Sequence, residues 1–310
     1  IEEEIKLAVE LLKNNEVVAI PTETVYGLAG NAYSEEAIMK IFEVKNRPYF
    51  NPLIVHIKSI FELPEIAKNI SDIAWKLAHE FWPGPLTLVL EKQDFISSLI
   101  TGGKSTVAVR VPRHPVALQL LASIDFPLVA PSANPFNYLS PTTAAHVQRQ
   151  LGDKIPLILD GGKCEKGVES TIIGFRQNKP VLLRLGAISK EEIEAVVGEL
   201  SIQNESKQLP DSPGMLEKHY SPRTPIYVTP NVSELIKKNL NKRLGTLMFQ
   251  KRLFNKSVIH NEVLSNKGNL YEAASNLFEA LHRLDNMALD MIITEQFPDI
   301  GLGKTINDRL

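Results

Sequence analysis

An apolar run meets a hydroxyl-rich run at residues 17–28, which read Val17-Val18-Ala19-Ile20-Pro21-Thr22-Glu23-Thr24-Val25-Tyr26-Gly27-Leu28. The first four residues predict a buried β-strand, because a continuous apolar run is typical of a strand covered on both faces. The hydroxyl side chains that follow then lie at the end of a strand, where open α/β sheets bind their ligands. The same hydroxyls also suit a turn that bonds to its own backbone. On this run alone the two interpretations are equally good.

Helical and strand patterns alternate on both sides of that run. Apolar residues at helical spacing precede it, from Ile5 to Leu12, and Ser34 is placed to cap a helix that follows it. Pro48 bars this second helix from continuing. Further helices are predicted to begin at Ser71 and Ser189, and further strands at residues 53–57, 86–90, 106–111, 127–130, 157–159, 171–175 and 181–183. This alternation predicts an α/β fold.

The character of the sequence changes between residues 201 and 224. This stretch is polar, lacks periodicity and carries Pro210, Pro213, Gly214 and Pro222, as is typical of a linker. A second set of patterns follows, with strands near 226–228, 245–249 and 291–294 and a strong helix over 270–284. We therefore predict two α/β domains, at residues 1–200 and 225–310, joined by a linker over 201–224.

The bulk composition narrows the function classes. The chain has 34 basic and 36 acidic residues, so it lacks the basic excess of a protein whose main task is to bind nucleic acid. Its single cysteine, Cys164, excludes an internal disulfide framework and a thiolate metal cluster. No apolar run reaches membrane-spanning length and no secretory signal opens the sequence, so we expect a cytoplasmic protein.

Two glycine–lysine–hydroxyl triplets look like phosphate-binding loops and are rejected. Gly303-Lys304-Thr305 has Pro298 where the motif needs its first glycine, and Gly103-Lys104-Ser105 has Ser98 there. We interpret the first triplet as a glycine turn and the second as a surface loop. Any phosphate is then held by side chains and helix ends rather than by a Walker loop.

Two cations, Lys45 and Arg47, lie close together at a predicted helix end. Cations there also complement the helix dipole, so the pair alone does not indicate a site. Its value lies in the combination with Asn51 and His56, which follow within the next predicted strand region. A lone strand histidine is more often structural than catalytic, and both alternatives stay open.

A further cation, Arg110, shares one face of its predicted strand with Thr106 and Ala108. It is either an edge-strand cation or a clamp for a carboxylate. Beyond it, the motif 132–134 (Ser-Ala-Asn) follows an apolar strand, and Ser140 is placed to cap the next helix. A cap does not exclude phosphate contact at the same helix end.

These motifs together resemble the YrdC/Sua5 family, the threonylcarbamoyl-adenylate synthases of tRNA modification. The matching segments occur in the family's order, at residues 21–28, 45–48, 51–56, 82–87, 106–112, 130–134, 169–172 and 183–186. The resemblance implies a twisted mixed sheet with flanking helices around a concave cavity. One departure is Arg184-Leu185-Gly186, where the family often has Arg-Pro-Gly, and it affects only the rigidity of the loop.

The second domain and residues 213–222 are similar to the longer Sua5 branch of the family. The resemblance implies a smaller, Rossmann-like α/β C-terminal domain. It also implies that the linker crosses the cavity and that its tyrosine, here Tyr220, reaches the nucleotide.

The resemblance implies a reaction and a site. L-threonine, bicarbonate and ATP, with Mg²⁺, would give threonylcarbamoyl-AMP and pyrophosphate, and a separate transferase complex would carry the product to tRNA, as the first step of t6A synthesis. Lys45 and Arg47 would hold the reacting charge. The threonine pocket would comprise Thr22, Thr24, Tyr26, His56, Arg110, Ser132 and Ser170. The ATP site would comprise Lys45, Arg47, Asn51, Thr106, Asn134, Ser140, Thr142, Arg184 and Tyr220, with no metal ligand assigned.

Two alternatives remain at this point. One is another carbamoyl-transfer enzyme, because hydrogenase-maturation carbamoyltransferases contain a similar domain. Those proteins carry zinc-finger cysteines and an acylphosphatase region, and this sequence shows neither. The other is a module that binds double-stranded RNA, or tRNA weakly, on a concave basic surface, against which the near-zero net charge argues.

Overall fold

Two β-sheets organise the molecule. The computed structural model describes residues 1–203, 212–214 and 220–310. The first sheet is mixed and has the strand order β1-β2-β6-β3-β5-β4-β7-β8-β9. Its strands are Val18–Ile20 (β1), Gly27–Asn31 (β2), Ile54–His56 (β3), Leu86–Glu91 (β4), Thr106–Arg110 (β5), Leu128–Val129 (β6), Thr171–Arg176 (β7), Lys179–Arg184 (β8) and Ser201–Ile202 (β9).

Eight α-helices accompany this sheet in the described part of the chain. They are Glu2–Lys13 (α1), Glu35–Lys45 (α2), Leu63–Ile66 (α3), Asp72–Phe81 (α4), Ser98–Thr101 (α5), Pro115–Ala122 (α6), Ala144–Leu151 (α7) and Lys190–Val197 (α8). Ser34 caps α2, Ser71 caps α4, and Ser189 and Glu192 form the capping box of α8. These helix starts are where the sequence predicts them.

The middle strand β5 shows how the sheet separates a packed face from an open one. Val107 and Val109 enter the main core beneath the helices. Ala108 instead joins a small apolar cluster with Ile54, Val89 and Ile172. The predicted common face of Thr106, Ala108 and Arg110 is therefore confirmed, and this face forms part of the concave side of the sheet.

The second sheet is wholly parallel and has the order β10-β13-β11-β12. Its strands are Ile226–Val228 (β10), Leu244–Met248 (β11), Val258–Val263 (β12) and Met291–Thr294 (β13). The helices are Val232–Lys237 (α9), Leu270–Asp285 (α10) and Leu302–Arg309 (α11). Parallel strands alternating with helices agree with the predicted Rossmann-like C-terminal domain.

The two units share a hydrophobic core. Val25 and Val168 of the first unit pack in one cluster with Leu277 and Phe278 of α10, and Tyr220 belongs to the same cluster. All five side chains are buried. The C-terminal unit therefore packs directly behind the hydroxyl-rich run that follows β1.

Several local predictions are wrong. Residues 157–159 form a single bridge, from Ile158 to Ala19, rather than a strand. Helix α7 is capped by Thr143, so Ser140 is not its cap. The Gly303 triplet lies inside α11 and is not a turn. The position of a Cβ on Gly303 would lie 1.8 Å from the Pro298 carbonyl oxygen, so close backbone approach requires the glycine here.

Most of the predicted linker lies outside the described residues, which omit 204–211 and 215–219. Ser201 and Ile202, at its start, pair with β8. The domain limits at 200 and 224 remain a proposal. In the parts of the chain that the structure describes, no helix has the length and apolar character needed to cross a bilayer.

Candidate active site

Backbone hydrogen bonds bring together two motifs that are distant in sequence. The Leu28 amide donates to the Pro131 carbonyl at 2.7 Å, and the Ala133 amide donates to the Tyr26 carbonyl at 2.8 Å. Gly27 and Ser132 form an antiparallel bridge between these bonds. The hydroxyl-rich run and the Ser-Ala-Asn motif therefore make one continuous wall.

A cavity opens beside this wall on the concave face of the sheet. It is lined by nine of the predicted polar residues, which come from eight separate stretches of the sequence. They are Thr22, Thr24, Arg47, His56, Arg110, Ser132, Ser170, Arg184 and Tyr220, together with Val25, Gly27, Ile54, Ala130, Pro131, Glu169 and Pro213. The structure thus brings together nine of the sixteen predicted site residues at one cavity.

Arg110 meets its counter-ion within the hydroxyl-rich run. One of its terminal nitrogens contacts the Glu23 carboxylate, and the other donates to the Thr24 hydroxyl at 3.0 Å. The second Glu23 oxygen accepts from the Arg113 amide at 2.9 Å. Both side chains of the ion pair are almost fully buried, at 4% and 1% exposure. Glu23, which the sequence predictions did not assign, is therefore the buried anion that balances this wall.

His56 stands next to this pair in its neutral form. Burial lowers its pKa to about 3, and the nearby Arg110 charge acts in the same direction. Its Nδ1 lies 3.0 Å from the Ile54 carbonyl, which can only accept, so Nδ1 carries the proton. The tautomer leaves Nε2 as a hydrogen-bond acceptor.

The two cations at the C-terminal end of α2 are buried in different ways. Arg47 lines the cavity and donates to the Pro52 carbonyl at 2.8 Å. Burial lowers its pKa to about 10, so it stays cationic at neutral pH. Lys45 lies behind the wall, where its Nζ donates to the Ser132 carbonyl at 2.5 Å and to the Asn134 carbonyl. Burial, and then the charge of Arg47, hold the pKa of Lys45 well below its usual value.

Three of the predicted residues carry buried polar atoms that have no partner among the described residues. They are both amide atoms of Asn51, Oδ1 of Asn134 and Nε of Arg110. A buried polar group normally has a partner, because leaving it unpaired costs about 1–3 kcal/mol. Arg110 lines the cavity, whereas Asn51 and Asn134 contact Arg47 and Lys45 beside it, so these unpaired atoms are candidate contacts for a polar ligand.

The linker contributes one side of the cavity. Tyr220 accepts a hydrogen bond from Arg184 at 3.1 Å, and the Pro213 carbonyl accepts another from the same side chain at 3.2 Å. Arg184 also donates to the Ser170 carbonyl at 2.8 Å. Pro213 and Tyr220 of the predicted linker thus lie against the cavity. The other linker residues in the predicted motif, 215–219, lie outside the described residues.

Seven predicted site residues do not line this cavity. Two of them, Lys45 and Asn51, lie next to it, because Lys45 contacts Ser132 and Asn51 contacts Arg47. Tyr26 donates to the Gly162 carbonyl at 2.8 Å, on the other side of the wall. Thr106 lies at the opposite end of β5 from Arg110. Ser140 donates to Glu169, and the Thr142 hydroxyl lies 3.4 Å from His146 Nδ1. Asn134 donates to the Pro135 and Tyr138 carbonyls.

The described residues contain no group of three or more His, Cys, Asp or Glu side chains arranged to hold a metal ion. Glu169 lines the cavity and is paired with Arg309, and Glu23 lies behind the lining and is paired with Arg110. Among the described residues, the side chains at the cavity therefore do not form a protein ligand set for Mg²⁺.

The fold and the site define a class: an α/β protein whose mixed sheet carries a cavity lined by three arginines and several hydroxyl side chains. The family model described as "Telomere recombination" (Sua5_yciO_yrdC) matches residues 10–186. A second model, "Threonylcarbamoyl-AMP synthase, C-terminal domain", matches residues 188–310. The chain belongs to the Sua5/YciO/YrdC family and has the two-domain architecture of its Sua5-type threonylcarbamoyl-AMP synthases, which confirms the predicted resemblance.

Known relatives match the full length of the chain. A threonylcarbamoyl-AMP synthase of Bacillus subtilis is 41% identical over 99% of this chain and 92% of its own length. One of Schizosaccharomyces pombe is 36% identical over 98% of this chain and 86% of its own length. The crystal structure of Pyrococcus abyssi Sua5 complexed with L-threonine superposes with a TM-score of 0.94, at 41% identity, covering 100% of this chain and 94% of that one.

Proposed function

We propose that this protein is an L-threonylcarbamoyladenylate synthase. It joins L-threonine, bicarbonate or CO₂, and ATP into threonylcarbamoyl-AMP and releases pyrophosphate, the first step of t6A synthesis in tRNA. The observation that carries the proposal is the cavity, where the motifs of this family bring together cations, hydroxyls and the unpaired buried donor Arg110 Nε. Full-length similarity to threonylcarbamoyl-AMP synthases supports it. We place the reaction in the cytoplasm, where its product passes to a tRNA-modifying transferase complex.

The threonine subsite is the wall around Arg110. Arg110 Nε, which has no partner among the described residues, suits the substrate carboxylate. The acceptor His56 Nε2 suits the substrate hydroxyl or amine, because the neutral imidazole does not repel an ammonium group. The hydroxyls of Thr22, Thr24, Ser132 and Ser170 complete the lining.

The ATP subsite is the rest of the concave face. The unpaired polar atoms of Asn51 and Asn134 and the cations Arg47 and Arg184 supply its polar contacts. The apolar cluster of Ile54, Val89, Ala108 and Ile172 extends from there towards Thr106 and offers a surface for the purine. Tyr220 closes the opposite side. Ser140 and Thr142 lie behind Glu169 and His146 and act through them.

The chemistry requires little acid–base work from the protein. The threonine amine attacks CO₂, loses a proton and becomes a carbamate. A carbamate oxygen then attacks the α-phosphorus as the bond to the bridging oxygen breaks, and pyrophosphate leaves. Arg47 stabilises the charge that builds at phosphorus, and Lys45 holds the backbone wall that faces it. Mg²⁺ would enter bound to ATP, and none of these steps is assigned to it.

The test of this function is pyrophosphate release from ATP. We expect release only when threonine and bicarbonate are both present. A well-placed cation at a phosphoryl centre is typically worth ~3 kcal/mol, so Arg47→Ala should lower turnover about 100-fold. Lys45→Ala should lower turnover as well, because it removes the side chain that holds the backbone wall. Lys13→Ala, at an exposed end of α1, is the matched control. Threonine-independent release, or an active Lys45→Ala/Arg47→Ala double variant, would contradict the proposal.

A further inference from the structure

Helix α11 carries two buried polar side chains that face the catalytic unit. Thr305 and Arg309 are four residues apart and therefore lie on one side of the helix. The Thr305 hydroxyl donates to the Gly186 carbonyl at 2.9 Å. Arg309 donates to the Leu185 carbonyl at 2.7 Å. The C-terminal domain thus reaches the loop after β8, next to the cavity.

The Arg309 guanidinium makes the deepest of these contacts. Its Nε donates to Glu169 Oε2 at 2.8 Å, and its Cζ lies 4.7 Å from the centre of the Tyr220 ring. The Arg309 side chain is fully buried, and the Glu169 side chain is only 6% exposed. A charge in such a position is stable only when it is paired, so the two groups depend on each other.

Glu169 and Tyr220 line the cavity, whereas Arg309 and its other carboxylate partner, the half-exposed Asp308, do not. Glu169 uses its other oxygen to accept from Ser140. Tyr220 accepts from Arg184, which lies on the cavity wall. Arg309 therefore stands directly behind two neighbouring wall residues and fixes both of them.

We propose that Arg309 is a positioning residue of the nucleotide subsite, through which the C-terminal domain holds Glu169 and Tyr220 in their places on the cavity wall. This inference rests on the proposed function for the identity of the nucleotide. It gives the C-terminal domain a task in the reaction without placing any of its side chains in contact with substrate.

The contacts predict that loss of the Arg309 side chain weakens the binding of ATP but not that of threonine. The Arg110–Glu23 pair and His56 hold the threonine side, and none of their hydrogen bonds involves α11. Loss of the Arg309 charge leaves Glu169 unpaired beside the site proposed for an anionic nucleotide, and it frees one face of Tyr220. Repulsion of ATP and a displaced tyrosine both weaken nucleotide binding.

The experiment compares Arg309→Met and Arg309→Lys with a matched control from the same helix. Lys304 forms an ion pair with Glu191, also across the two units, but at the surface and away from the cavity. We expect Arg309→Met to raise the KM for ATP about tenfold or more, with the KM for threonine within about twofold. The KM for ATP of Arg309→Lys should lie between the wild-type and Arg309→Met values, because one ammonium cannot reproduce the two-pronged guanidinium contact. Lys304→Met should have the same KM values for ATP and threonine as the wild-type protein.

A second variant separates positioning from folding. Arg309→Met/Glu169→Gln removes both buried charges, so it should recover the melting temperature that Arg309→Met loses while the KM for ATP stays raised. An unchanged KM for ATP in folded Arg309→Met, or an equal rise of the KM values for threonine and ATP, would overturn the inference.

Calorimetric binding of ATP alone to the Arg309 and Lys304 variants tests the positioning even if the wild-type protein lacks the proposed reaction. Equal ATP affinities in that assay would also overturn it.

Discussion

Arg110 keeps its charge inside the protein because Glu23 lies against it. One Glu23 oxygen pairs with a terminal nitrogen of Arg110, and the other accepts from the Arg113 amide. The second terminal nitrogen of Arg110 donates to the Thr24 hydroxyl. The pair is therefore nearly satisfied before any ligand binds, and only Nε is left without a partner among the described residues. Such a site can select a carboxylate by geometry at one donor rather than by net charge alone.

Substitution of Asn51 should affect ligand binding and not the stability of the fold. Its buried amide has no partner among the described residues, so it contributes no internal hydrogen bond to the fold. Asn51→Leu, which has a similar volume, should leave the melting temperature unchanged or raise it, because an unpaired buried amide costs about 1–3 kcal/mol. The same change should raise the KM for ATP about tenfold.

Asn134→Leu is the contrasting variant for Asn51→Leu. Its Nδ2 donates to the Pro135 and Tyr138 carbonyls, so the change should lower the melting temperature as well as ATP binding. Thermal unfolding and steady-state kinetics measure both effects. A clear loss of stability in Asn51→Leu with an unchanged KM for ATP would show that Asn51 is structural.

Single residues show where sequence reasoning about the site succeeds and where it stops. The hydroxyls and cations of the cavity lie in recognisable motifs at strand ends, so the sequence predicts most of them. Glu23 and Glu169 lie in the same motifs, but their tasks depend on arginines that are 87 and 140 residues away. No local pattern identifies such partners, because the pairing is created by the tertiary fold.

Among the elements, the linker brings Gly214 close to the Tyr220 ring that lines the cavity. Its φ is +89°, and a Cβ there would lie 2.4 Å from the Tyr220 hydroxyl. Gly214→Ala should therefore displace Tyr220 and raise the KM for ATP several-fold. Gly198, at φ +82°, has no atom within 4 Å of its Cβ position, so Gly198→Ala carries the same backbone strain without the collision.

The two glycine variants should lose stability by similar amounts, on the order of 1 kcal/mol, because both force an alanine into a left-handed conformation. Only Gly214→Ala should affect ATP. The measurement is the KM for ATP beside the melting temperature for each variant. Equal KM values in the two variants would contradict a role for the linker at the nucleotide site.

Secondary structure was predictable where a local pattern is strong. Continuous apolar runs predict β1 and β5, and the capping residues Ser34, Ser71 and Ser189 mark helix starts correctly. Helix α11 was missed because Gly303 favours a turn by local preference, whereas packing against Pro298 requires it within a helix. Edge strand β12 was missed because its polar residues, among them His260 and Glu262, hide its apolar pattern.

At the scale of the whole molecule, the two units act as one packed body around the cavity. Their shared core includes Val25 beside the hydroxyl-rich run and Phe278 of α10. His146 of α7 stacks on His282 of α10 with ring centres 3.9 Å apart, and His282 contacts the Ser140 carbonyl. The sequence predicts two α/β units, but this docking depends on scattered apolar residues that have no common spacing.

The buried histidines make the stability of the whole molecule depend on pH. Burial lowers the pKa values of His56 and His146 to about 3, and the nearby charges of Arg110 and of His282 with Arg149 act in the same direction. The unfolded chain, with histidine near pH 6.5, binds more protons between pH 3 and pH 6.5 than the folded chain does. Stability is therefore full above about pH 6.5 and falls as the pH drops below it, by about 2 kcal/mol per histidine at pH 5.

His146→Asn tests this dependence at the interface between the units. An asparagine oxygen can replace Nδ1 as the acceptor for the Thr142 amide, which His146 binds at 3.2 Å, but it does not titrate. The unfolding free energy of the variant should be lower than that of the wild type at pH 7, because the stacking on His282 is lost. Between pH 7 and pH 5 the unfolding free energy of the variant should then fall less steeply than that of the wild type, because one titrating histidine has been removed.

His79→Asn, at an exposed position of α4, should keep the wild-type slope, and urea unfolding at pH 5, 6 and 7 measures all three proteins. If His146→Asn kept that slope as well, the interface histidine would already be protonated in the folded protein, and the coupling between the two units would not depend on its neutral form.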